Sequence, residues 1–542
     1  MSNKLYYGDN LEVLRNEVAD ESVDLVYLDP PFNSNASYSI LFKSPEGQGA
    51  DAQIEAFNDT WTWGPSASGA LMDITQSGNH NLHVLMQALH KAIGENAMMA
   101  YLAMMAVRLV ELHRVLRPTG SLYLHCDPTA SHYLKLVLDA VFGAENFRSE
   151  ISWRRQSAHN DAAQGRKQYG NVRDIIFFYT KSNGWTWHWQ YTPYDEGYVR
   201  NFYRHVEEAT GRRYRLGDIT APGGASPAKR NPHYEFLGVT RYWRYSQERM
   251  QQLYDEGRIL QTGPGRVPQY KRYLDEMPGV ALQNDWTDIN PLHGAEQERL
   301  NYPTQKPRAL LERIIAASSN EGDLVLDPFC GCGTAVDAAQ KLGRHWIGID
   351  ITHLAIGLIE KRLREGYGDA VKFETIGVPK DLASAQRLAT DDPHGFQHWI
   401  TLQLGGWPWM GGKKGGDKGV DGYFYYVGEG GATETGVISV KAGGNVNPGM
   451  VRDLGRVMQR DGHKLGLFVC AALPTRGMED EANSHGLVET EFGRFPALQC
   501  FTLAELFQDR SPKLPPLVSP NRRAPRVETR ESHKKGAQGS LI

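Results

Sequence analysis

Residues 21–35 read ESVDLVYLDPPFNSN, a short apolar run followed at once by a carboxylate, two prolines and an aromatic ring. The run Asp24–Leu28 is typical of a buried strand. Proline lacks a backbone N–H and has a fixed φ, so the two prolines end the strand and hold the chain extended. The stretch therefore predicts a strand that presents Asp29 in a rigid loop at its carboxyl end.

Helices and strands alternate on both sides of this stretch. Residues 4–32 follow a strand–helix–strand pattern, and residues 101–128 follow a helix–strand pattern. The alternation stops at about Glu150 and resumes in residues 305–351. It predicts an α/β fold with a largely parallel sheet that is interrupted by an inserted module.

The composition is that of a large protein without a membrane segment. A chain of 542 residues favours roughly two to four domains. No apolar run approaches the roughly 20 residues of a membrane span, and the first residues lack a signal-peptide core, so a cytoplasmic location is expected. The five cysteines include no CxxC pair, which argues against a zinc site or a disulfide framework. The net charge of −4 provides no global signature of nucleic-acid binding.

A second strand end carries a glycine-rich turn. In DLVLDPFCGCGT, residues 323–334, Asp327 ends an apolar strand. The residues that lead into the next helix are Phe329, Gly331, Gly333 and Thr334. Glycines there let a ligand approach the backbone, although Val336 departs from the dinucleotide fingerprint and makes a phosphate ligand less favoured. Asp350 ends the following strand and is placed to bind ribose hydroxyls; an ordinary βα turn is the alternative interpretation.

The DPPF segment has the chemistry to activate a base amine. Asp29 can accept one hydrogen of an exocyclic amino group and the Pro30 carbonyl can accept the other, which raises the nucleophilicity of the nitrogen. The Pro30–Pro31 unit holds both acceptors in place before substrate arrives, and Phe32 can stack on the base. The nucleotide would have to be rotated out of a duplex. S-adenosylmethionine would be the methyl donor, while a plain strand-ending turn is the alternative.

Together the two motifs resemble those of β-class amino-group DNA methyltransferases. This family places DPPY or DPPF before its target-recognition region and FxGxG after it, and the resemblance covers about residues 4–375. It implies a Rossmann-like S-adenosylmethionine-dependent methyltransferase sheet, with double-stranded DNA as the partner and restriction–modification or epigenetic marking as the context. A homodimer stays open.

The resemblance also implies roles for individual residues. YGDNLEVL, residues 7–14, resembles the adenine-side cofactor segment, and YPTQKPRALLERII, residues 302–315, resembles the methionine-side segment. The implied catalytic residues are Asp29, Pro30, Pro31 and Phe32. The implied cofactor contacts are Asp9, Thr304, Gln305, Lys306, Asp327, Phe329, Gly331, Gly333, Thr334 and Asp350.

The methyl acceptor is best predicted as the N6 amino group of adenine. An aspartate, rather than a serine, as first residue of the motif tilts this family toward N6-adenine over N4-cytosine. Phe32 replaces the commoner tyrosine, which keeps stacking and loses a hydroxyl. Three alternatives stay open: an N4-cytosine acceptor, an RNA substrate, and a DNA-binding protein in which the motifs serve only as a scaffold.

Residues 151–300 are rich in aromatic residues and loops and occupy the target-recognition position. The expected DNA contacts are Trp153, Arg154, Arg155, Tyr242 and Arg244. Aromatic and arginine side chains equally build ordinary cores and surfaces, so each assignment has a structural alternative.

A second, smaller α/β module is predicted at residues 396–507. It resembles the PD-(D/E)xK nuclease fold, particularly Mrr-type restriction domains, with Asp421 and Lys441 on two strands of a hairpin. In that fold the aspartate and a second acid bind Mg²⁺ and the lysine orients the attacking water. Ser439 stands where the second acid is expected and Gln397 where a helix glutamate often helps, which should weaken metal binding. Cleavage and a DNA-gripping or inactive remnant both stay open.

The chain thus divides into six expected segments. The tail is rich in Pro, Arg and Lys and poor in large apolar residues, which predicts disorder. The segments are a catalytic half (1–150), a target-recognition region (151–300), a cofactor-binding half (301–377), a linker (378–395), a nuclease-like domain (396–507) and a disordered basic tail (508–542).

Overall fold

The structure is a computed structural model, and it describes most of the chain between residues 2 and 518. The described ranges are 2–31, 37–43, 49–58, 63–156, 167, 169–221, 231–292, 298, 300, 302, 304–408, 419–428, 431–508 and 510–518. None of the helices in these ranges combines the length and the apolar character that a bilayer crossing requires.

The secondary structure of the described ranges alternates between helices and strands over much of the chain. The helices are α1 (Asn10–Glu17), α2 (Pro65–Gln76), α3 (His80–Ile93), α4 (Ala97–Val115), α5 (Pro128–Phe142), α6 (Glu196–Phe202), α7 (Gln247–Asp255), α8 (Arg308–Ser318), α9 (Thr334–Lys341), α10 (His353–Tyr367), α11 (Leu382–Asp391), α12 (Pro393–Gln403), α13 (Pro448–Asp461), α14 (Arg476–Asn483) and α15 (Leu503–Leu506). The strands are β1 (Asn3–Tyr7), β2 (Val23–Leu28), β3 (Ser37–Lys43), β4 (Gly49–Asn58), β5 (Leu116–Cys126), β6 (Phe147–Arg154), β7 (Arg173–Thr180), β8 (Tyr191–Thr192), β9 (His205–Val206), β10 (Arg213–Asp218), β11 (His233–Phe236), β12 (Val239–Tyr242), β13 (Ile259–Leu260), β14 (Gln269–Tyr273), β15 (Val280–Ala281), β16 (Asp285–Trp286), β17 (Leu324–Asp327), β18 (His345–Asp350), β19 (Phe373–Ile376), β20 (Trp407–Pro408), β21 (Gly422–Val427), β22 (Thr433–Lys441), β23 (Gly466–Cys470), β24 (Leu487–Thr490), β25 (Gly493–Pro496) and β26 (Leu498–Thr502).

A nine-stranded sheet carries both sequence motifs. Its strand order is β16-β6-β7-β5-β2-β17-β18-β1-β19. β7 runs antiparallel to β5 and β6, and the other neighbouring pairs are parallel, so the predicted largely parallel sheet is confirmed. β2 and β17 are direct neighbours, with Val26 opposite Leu326. Asp29 and Asp327 therefore both lie at the carboxyl ends of neighbouring parallel strands, which is where open α/β sheets bind ligands.

The core on one face of this sheet is built mainly by α4. This helix is apolar nearly all round, as expected for a helix enclosed by other elements. It packs with α1, α5 and the apolar side chains of β2 and β5, including Val26 and Leu122, which are fully buried. The packing fixes the strand ends from which the motif loops emerge.

A separate compact unit comprises residues 189–283. It contains a four-stranded sheet, β13-β14-β10-β9, the hairpin β11–β12, and a small core around Trp243, Met250 and Leu253. The unit is narrower than the expected region 151–300. The difference arises because β6 and β7 pair with each other in the main sheet, with Ile151 opposite Ile176.

The C-terminal residues form a five-stranded sheet of order β20-β21-β22-β23-β26. Residues 378–395 were expected to be a linker, but α11 lies there and buries Ala385 and Ala389 in the core of this module. The two alanines are four positions apart and lie on one face of the helix. The other face is polar, so the segment has the composition of a linker although it packs as a helix. Residues 516–518, expected to be disordered, bond to the backbone of β21. Residues 519–542 lie outside the described ranges.

Candidate active site

One cavity of about 350 Å³ brings the two sequence motifs together. Asp29, Pro30 and Pro31 line it, while Phe32 lies outside the described residues. Nine of the ten expected cofactor residues also line it: Asp9, Thr304, Gln305, Lys306, Asp327, Phe329, Gly331, Thr334 and Asp350. Asp29 and Gly331 therefore share a single cavity, as the expected reaction requires.

Asp29 presents one oxygen that is already bonded and one that is not. Its Oδ2 accepts a hydrogen bond from Nζ of Lys306, and both side chains are largely buried. Its Oδ1 is buried without a hydrogen-bond partner among the described residues. A buried carboxylate oxygen without a donor is costly, which makes Oδ1 a natural acceptor for a hydrogen supplied by a ligand.

The glycine turn is shaped by Gly331. Its φ of +49° is in the left-handed region, and a Cβ there would lie 3.3 Å from Cε1 of Tyr302. Its N–H donates to Oδ2 of Asp350 at 2.9 Å. The turn is thus held by the acid at the end of the next strand.

Gly333 does not line the cavity, contrary to its expected contact with the cofactor. It has a φ of +75° directly before α9, and a Cβ there would lie 2.6 Å from Cγ1 of Ile359. Its lack of a side chain serves the close packing of α9 on α10. Gln305 lines the cavity, but its side-chain amide also closes a loop by bonding to the backbone of Glu298 and Leu300.

The carboxylates of the cavity differ in their electrostatic surroundings. Burial raises the pKa of Asp327 well above its usual range, and the charges of Asp29 and Asp350 raise it further. Burial also raises the pKa of Asp350, although hydrogen bonds from Thr352 and Gly331 oppose the shift. Asp327 and Asp350 are therefore harder to ionise than carboxyl groups in water, while Asp9 and Asp29 are paired with Arg108 and Lys306.

Sequence reasoning missed two residues that organise the cofactor side. Arg108 is buried on α4, and its guanidinium donates to both carboxylate oxygens of Asp9, at 3.0 and 3.1 Å, and to Oδ1 of Asn10. Asn10 in turn donates to the carbonyl of Pro328 at 2.7 Å. The sequence contained one indication of this role, which is the arginine within the apolar run YLAMMAVRLVELH. A charge in a buried helix needs a polar partner, so the run predicts a buried ion pair.

The expected DNA contacts have different environments. The assignment of Trp153 is wrong: its side chain is buried, and its indole N–H donates to the carbonyl of Ile289 at 3.0 Å. Arg154 is exposed, and Arg155 pairs with Asp174 at 3.3 Å. Tyr242 and Arg244 lie in the separate unit with part of their side chains exposed.

Asp421 in the C-terminal module accepts hydrogen bonds from three uncharged donors and also lies near one lysine. Its Oδ2 accepts from the backbone N–H of Val440 at 2.6 Å and from Ser439 at 3.1 Å, and its Oδ1 accepts from Gln397 at 2.5 Å. Nζ of Lys441 is 3.6 Å from the same carboxylate. Across the described ranges no group of three or more His, Cys, Asp or Glu residues is arranged to hold a metal ion.

A shared apolar cluster joins this module to the cavity wall. Tyr302 and Cys332, which line the cavity, are buried together with Leu354 and Leu358 of α10 and with Trp407 and Tyr425 of the module. Side chains from the module thus support the residues that surround the glycine turn.

Comparison with known proteins identifies the family. A family profile described as DNA methylase matches residues 23–361, which is more than half of the chain. The chain belongs to the DNA methylase family. This DNA methylase is 27% identical to the type II methyltransferase M.EcaI of Enterobacter cloacae over 371 residues, or 68% of this chain and 70% of that protein. It is 25% identical to the DNA adenine methyltransferase YhdJ of Escherichia coli over 398 residues, or 72% of this chain and 93% of YhdJ.

A solved structure also matches the DNA methylase. It is a DNA modification methylase from Thermus thermophilus, solved with S-adenosyl-L-methionine, with a TM-score of 0.33 and 16% identity over 69% of this chain and 99% of that one.

The residues of the cavity fit S-adenosylmethionine, the expected methyl donor. The donor is a cation with ribose hydroxyls, and the cavity combines several carboxylates with the aromatic ring of Phe329. When bound, it supplies an electrophilic methyl group.

Proposed function

We propose that this DNA methylase transfers the methyl group to the N6 amino group of adenine in double-stranded DNA. The observation that carries the proposal is Oδ1 of Asp29, which is buried without a partner from the described residues and lies in the same cavity as the glycine turn. The aspartate at the first position of the motif and the similarity to an enzyme named as an adenine methyltransferase favour adenine over cytosine.

In this proposal Asp29 and Pro30 act on the target amine. Oδ1 of Asp29 accepts one amine hydrogen and the carbonyl of Pro30 accepts the other, so the nitrogen lone pair is less delocalised into the ring. The rigid Pro30–Pro31 unit holds both acceptors before the base arrives, which avoids reorganisation during the reaction. Rotating the base out of the duplex costs about a few kcal/mol, which contacts in the cavity offset.

The remaining lining residues hold the methyl donor in this proposal. The turn at Phe329 and Gly331 lies against it, and Asp350 accepts hydrogen bonds from its hydroxyls. Asp9 and Thr304 approach it from the segments before α1 and α8. Exposed Arg154, and Tyr242 and Arg244 of the separate unit, are proposed to contact DNA.

The test compares Asp29→Asn with Asp127→Asn. Both aspartates directly follow strands of the main sheet, but Asp127 caps α5 and does not line the cavity. Labelled methyl transfer to duplex DNA should fall by at least about a hundredfold for Asp29→Asn and stay within about twofold for Asp127→Asn. Duplex binding should persist in both variants.

The identity of the product decides between the acceptors. Digestion of the methylated DNA and chromatography of the nucleosides should yield N6-methyl-2′-deoxyadenosine. N4-methyl-2′-deoxycytidine as the product would overturn the adenine assignment, and preferential methylation of RNA would overturn the DNA substrate.

We further propose that the module of residues 396–507 is nuclease-like and does not cleave DNA. Mg²⁺ depends on hard oxygen ligands, and Asp421 is bonded to Gln397, to a backbone N–H and to Ser439, which stands where the second acid is expected. Incubation of the full chain with supercoiled DNA and Mg²⁺ should leave the DNA intact. Nicking that disappears in Asp421→Ala would contradict the proposal.

A further inference from the structure

Lys306 contacts the catalytic side of the cavity. Its Nζ donates to Oδ2 of Asp29 and lies 3.4 Å from the carbonyl of Thr304. The side chains of Lys306 and Asp29 are only 10% and 14% exposed, so the ion pair is poorly screened by solvent. The resemblance implied instead that Lys306 contacts the cofactor.

The other carboxylates of the cavity have different partners. Asp9 is paired with Arg108, and Asp350 is bonded to the backbone of Gly331 and to Thr352. The field of Lys306 also acts on buried Asp327. The positive charge of Lys306 therefore opposes the negative charges of Asp29 and Asp327 on the side of the cavity where the target base would bind.

The ion pair with Lys306 gives the two carboxylate oxygens of Asp29 different roles. Oδ2 is held by Lys306, which fixes the rotation of the carboxylate about its last side-chain bond. Oδ1 is thereby left buried and has no hydrogen-bond partner in the part of the chain that the structure describes. An ionised carboxylate accepts hydrogen bonds on both oxygens, whereas protonation converts one oxygen into a donor that cannot receive an amine hydrogen.

We propose that Lys306 is a positioning residue for catalysis: it pairs with the carboxylate of Asp29 and orients it so that Oδ1 accepts a hydrogen bond from the amine of the target base. The inference rests on the proposed function and deepens it, because it assigns a role to a residue beyond the DPPF motif. Without the cation, Asp29 and Asp327 would repel each other with no opposing charge from Lys306.

The first experiment measures the pH dependence of methyl transfer in Lys306→Met. At pH 7 kcat should fall by about a hundredfold, a typical size for the loss of a group that supports a catalytic base. Raising the pH should restore part of the rate, because a carboxyl group that loses an adjacent cation is harder to ionise. The acid limb of the profile should therefore move up by about one pH unit or more. The dissociation constant of S-adenosylmethionine, from calorimetry, should change by less than about threefold.

Two further variants separate charge from geometry. Lys306→Arg keeps the cation and should leave the acid limb in place. Lys306→Gln keeps a hydrogen-bond donor for Oδ2 without charge, and its acid limb should move as in Lys306→Met.

The matched control is Lys181→Met. Lys181 is also largely buried and pairs with Glu21, but it bonds to the carbonyl of Leu116 at the start of β5 and does not line the cavity. Its variant should lose stability without any change in the pH profile. Thermal unfolding of each variant establishes that a folded protein is being compared.

Two results would overturn the inference. The first is S-adenosylmethionine binding that weakens more than about tenfold in Lys306→Met with an unchanged pH profile, which would make Lys306 a cofactor contact. The second is a rate unaffected by the loss of the lysine. Failure of the proposed function itself is distinct, because the unmutated protein would then transfer no methyl group to DNA at any pH.

Discussion

Arg108 shows how one buried cation organises several polar groups. Its guanidinium bonds to Asp9 and Asn10, and its NH1 group donates to the carbonyl of Met104 at 2.9 Å. Because Asn10 also bonds to the carbonyl of Pro328, these contacts connect α4 to both the β1–α1 segment and the loop after β17. The cofactor side of the cavity thus depends on a residue outside both motifs.

The first prediction concerns Arg108→Met. The substitution leaves Asp9 and Asn10 without their donor and should lower the free energy of unfolding by about 1–3 kcal/mol, because Asp9 is partly solvated. We expect the dissociation constant of S-adenosylmethionine to rise by about tenfold or more, measured by calorimetry. Arg114→Met is the control, since Arg114 lies on the same helix and pairs with Glu111. An equal loss of cofactor affinity in both variants would contradict the role of Arg108.

At the scale of elements, α10 and α12 pack closely because of a glycine. A Cβ at Gly357 of α10 would lie 2.7 Å from Cδ1 and 3.3 Å from Cβ of Leu402 on α12. Gly366 lies on the same helix with nothing within 4 Å of its would-be Cβ. The two glycines therefore differ in packing but not in secondary structure.

The second prediction is that alanine has opposite effects at these two positions. Gly357→Ala should destabilise the protein by about 1–3 kcal/mol through overpacking. Gly366→Ala should stabilise it by about 0.5–1 kcal/mol through helix propensity. Urea unfolding of both variants measures the difference. Adding Leu402→Ala to Gly357→Ala should cost less than the sum of the two single changes, and strict additivity would show that the contact is not tight.

The same pair of helices carries one buried histidine, His353, and one half-buried histidine, His398. The ring of His353 at the start of α10 stacks on Tyr7 with 3.8 Å between ring centroids, and both of its nitrogens are buried with no hydrogen-bond partner within the described ranges. Burial lowers the pKa of His353 to about 4, although the charge of Asp392 opposes the shift. Burial also lowers the pKa of His398 on α12 to about 3, with His394 and His353 adding to the shift and Asp392 opposing it.

The third prediction is a loss of stability in acid. Since the folded pKa of His353 lies below its unfolded value, the folded state binds fewer protons, and stability is present above about pH 6.5 and is lost as the pH falls toward 4. The shift of His353 corresponds to at most about 3 kcal/mol. His353→Phe should reduce this dependence in urea unfolding at pH 7 and pH 4.5. Exposed His80, replaced by Gln, is the control, and an unchanged acid dependence in His353→Phe would contradict the prediction.

At the scale of the whole molecule, the C-terminal module supports the cofactor site. Trp407 and Tyr425 of the module share one core with Tyr302 and Cys332 of the cavity wall. Nζ of Lys361 on α10 lies 4.1 Å above the ring of Trp407. A substitution in this face of the module should therefore weaken the binding of the methyl donor.

The fourth prediction compares two tryptophans of the module in the full chain. Trp399 packs within the module's own core, near Phe396 and Phe507, whereas Trp407 packs in the shared core. Replacement by Ala should cost about 3–5 kcal/mol of stability in either case. Only Trp407→Ala should also raise the dissociation constant of S-adenosylmethionine, by about fivefold or more, in calorimetry below the unfolding temperature. If both variants bound S-adenosylmethionine with the same dissociation constant, the proposed coupling between the module and the cofactor site would be wrong.

Local chemistry was enough to predict the parts of the site that lie at strand ends. The apolar runs before Asp29 and Asp327, the prolines and the glycine turn are properties of neighbouring residues, so the largely parallel sheet and most of the cavity lining could be anticipated. The burial of Trp153 and the presence of helix α11 could not be predicted in this way. The local sequence does not show whether an aromatic ring, or a helix with a polar face, lies on the surface or packs against a core.

By itself, the sequence determined where strands end, which groups they present and which family the motifs resemble. Only the tertiary structure decided that Lys306 bonds to Asp29, that Arg108 holds Asp9, and that Trp407 packs against the cofactor wall. The reason is physical: those contacts join segments far apart in the chain, and their existence depends on how strands and helices pack rather than on the local preference of any residue.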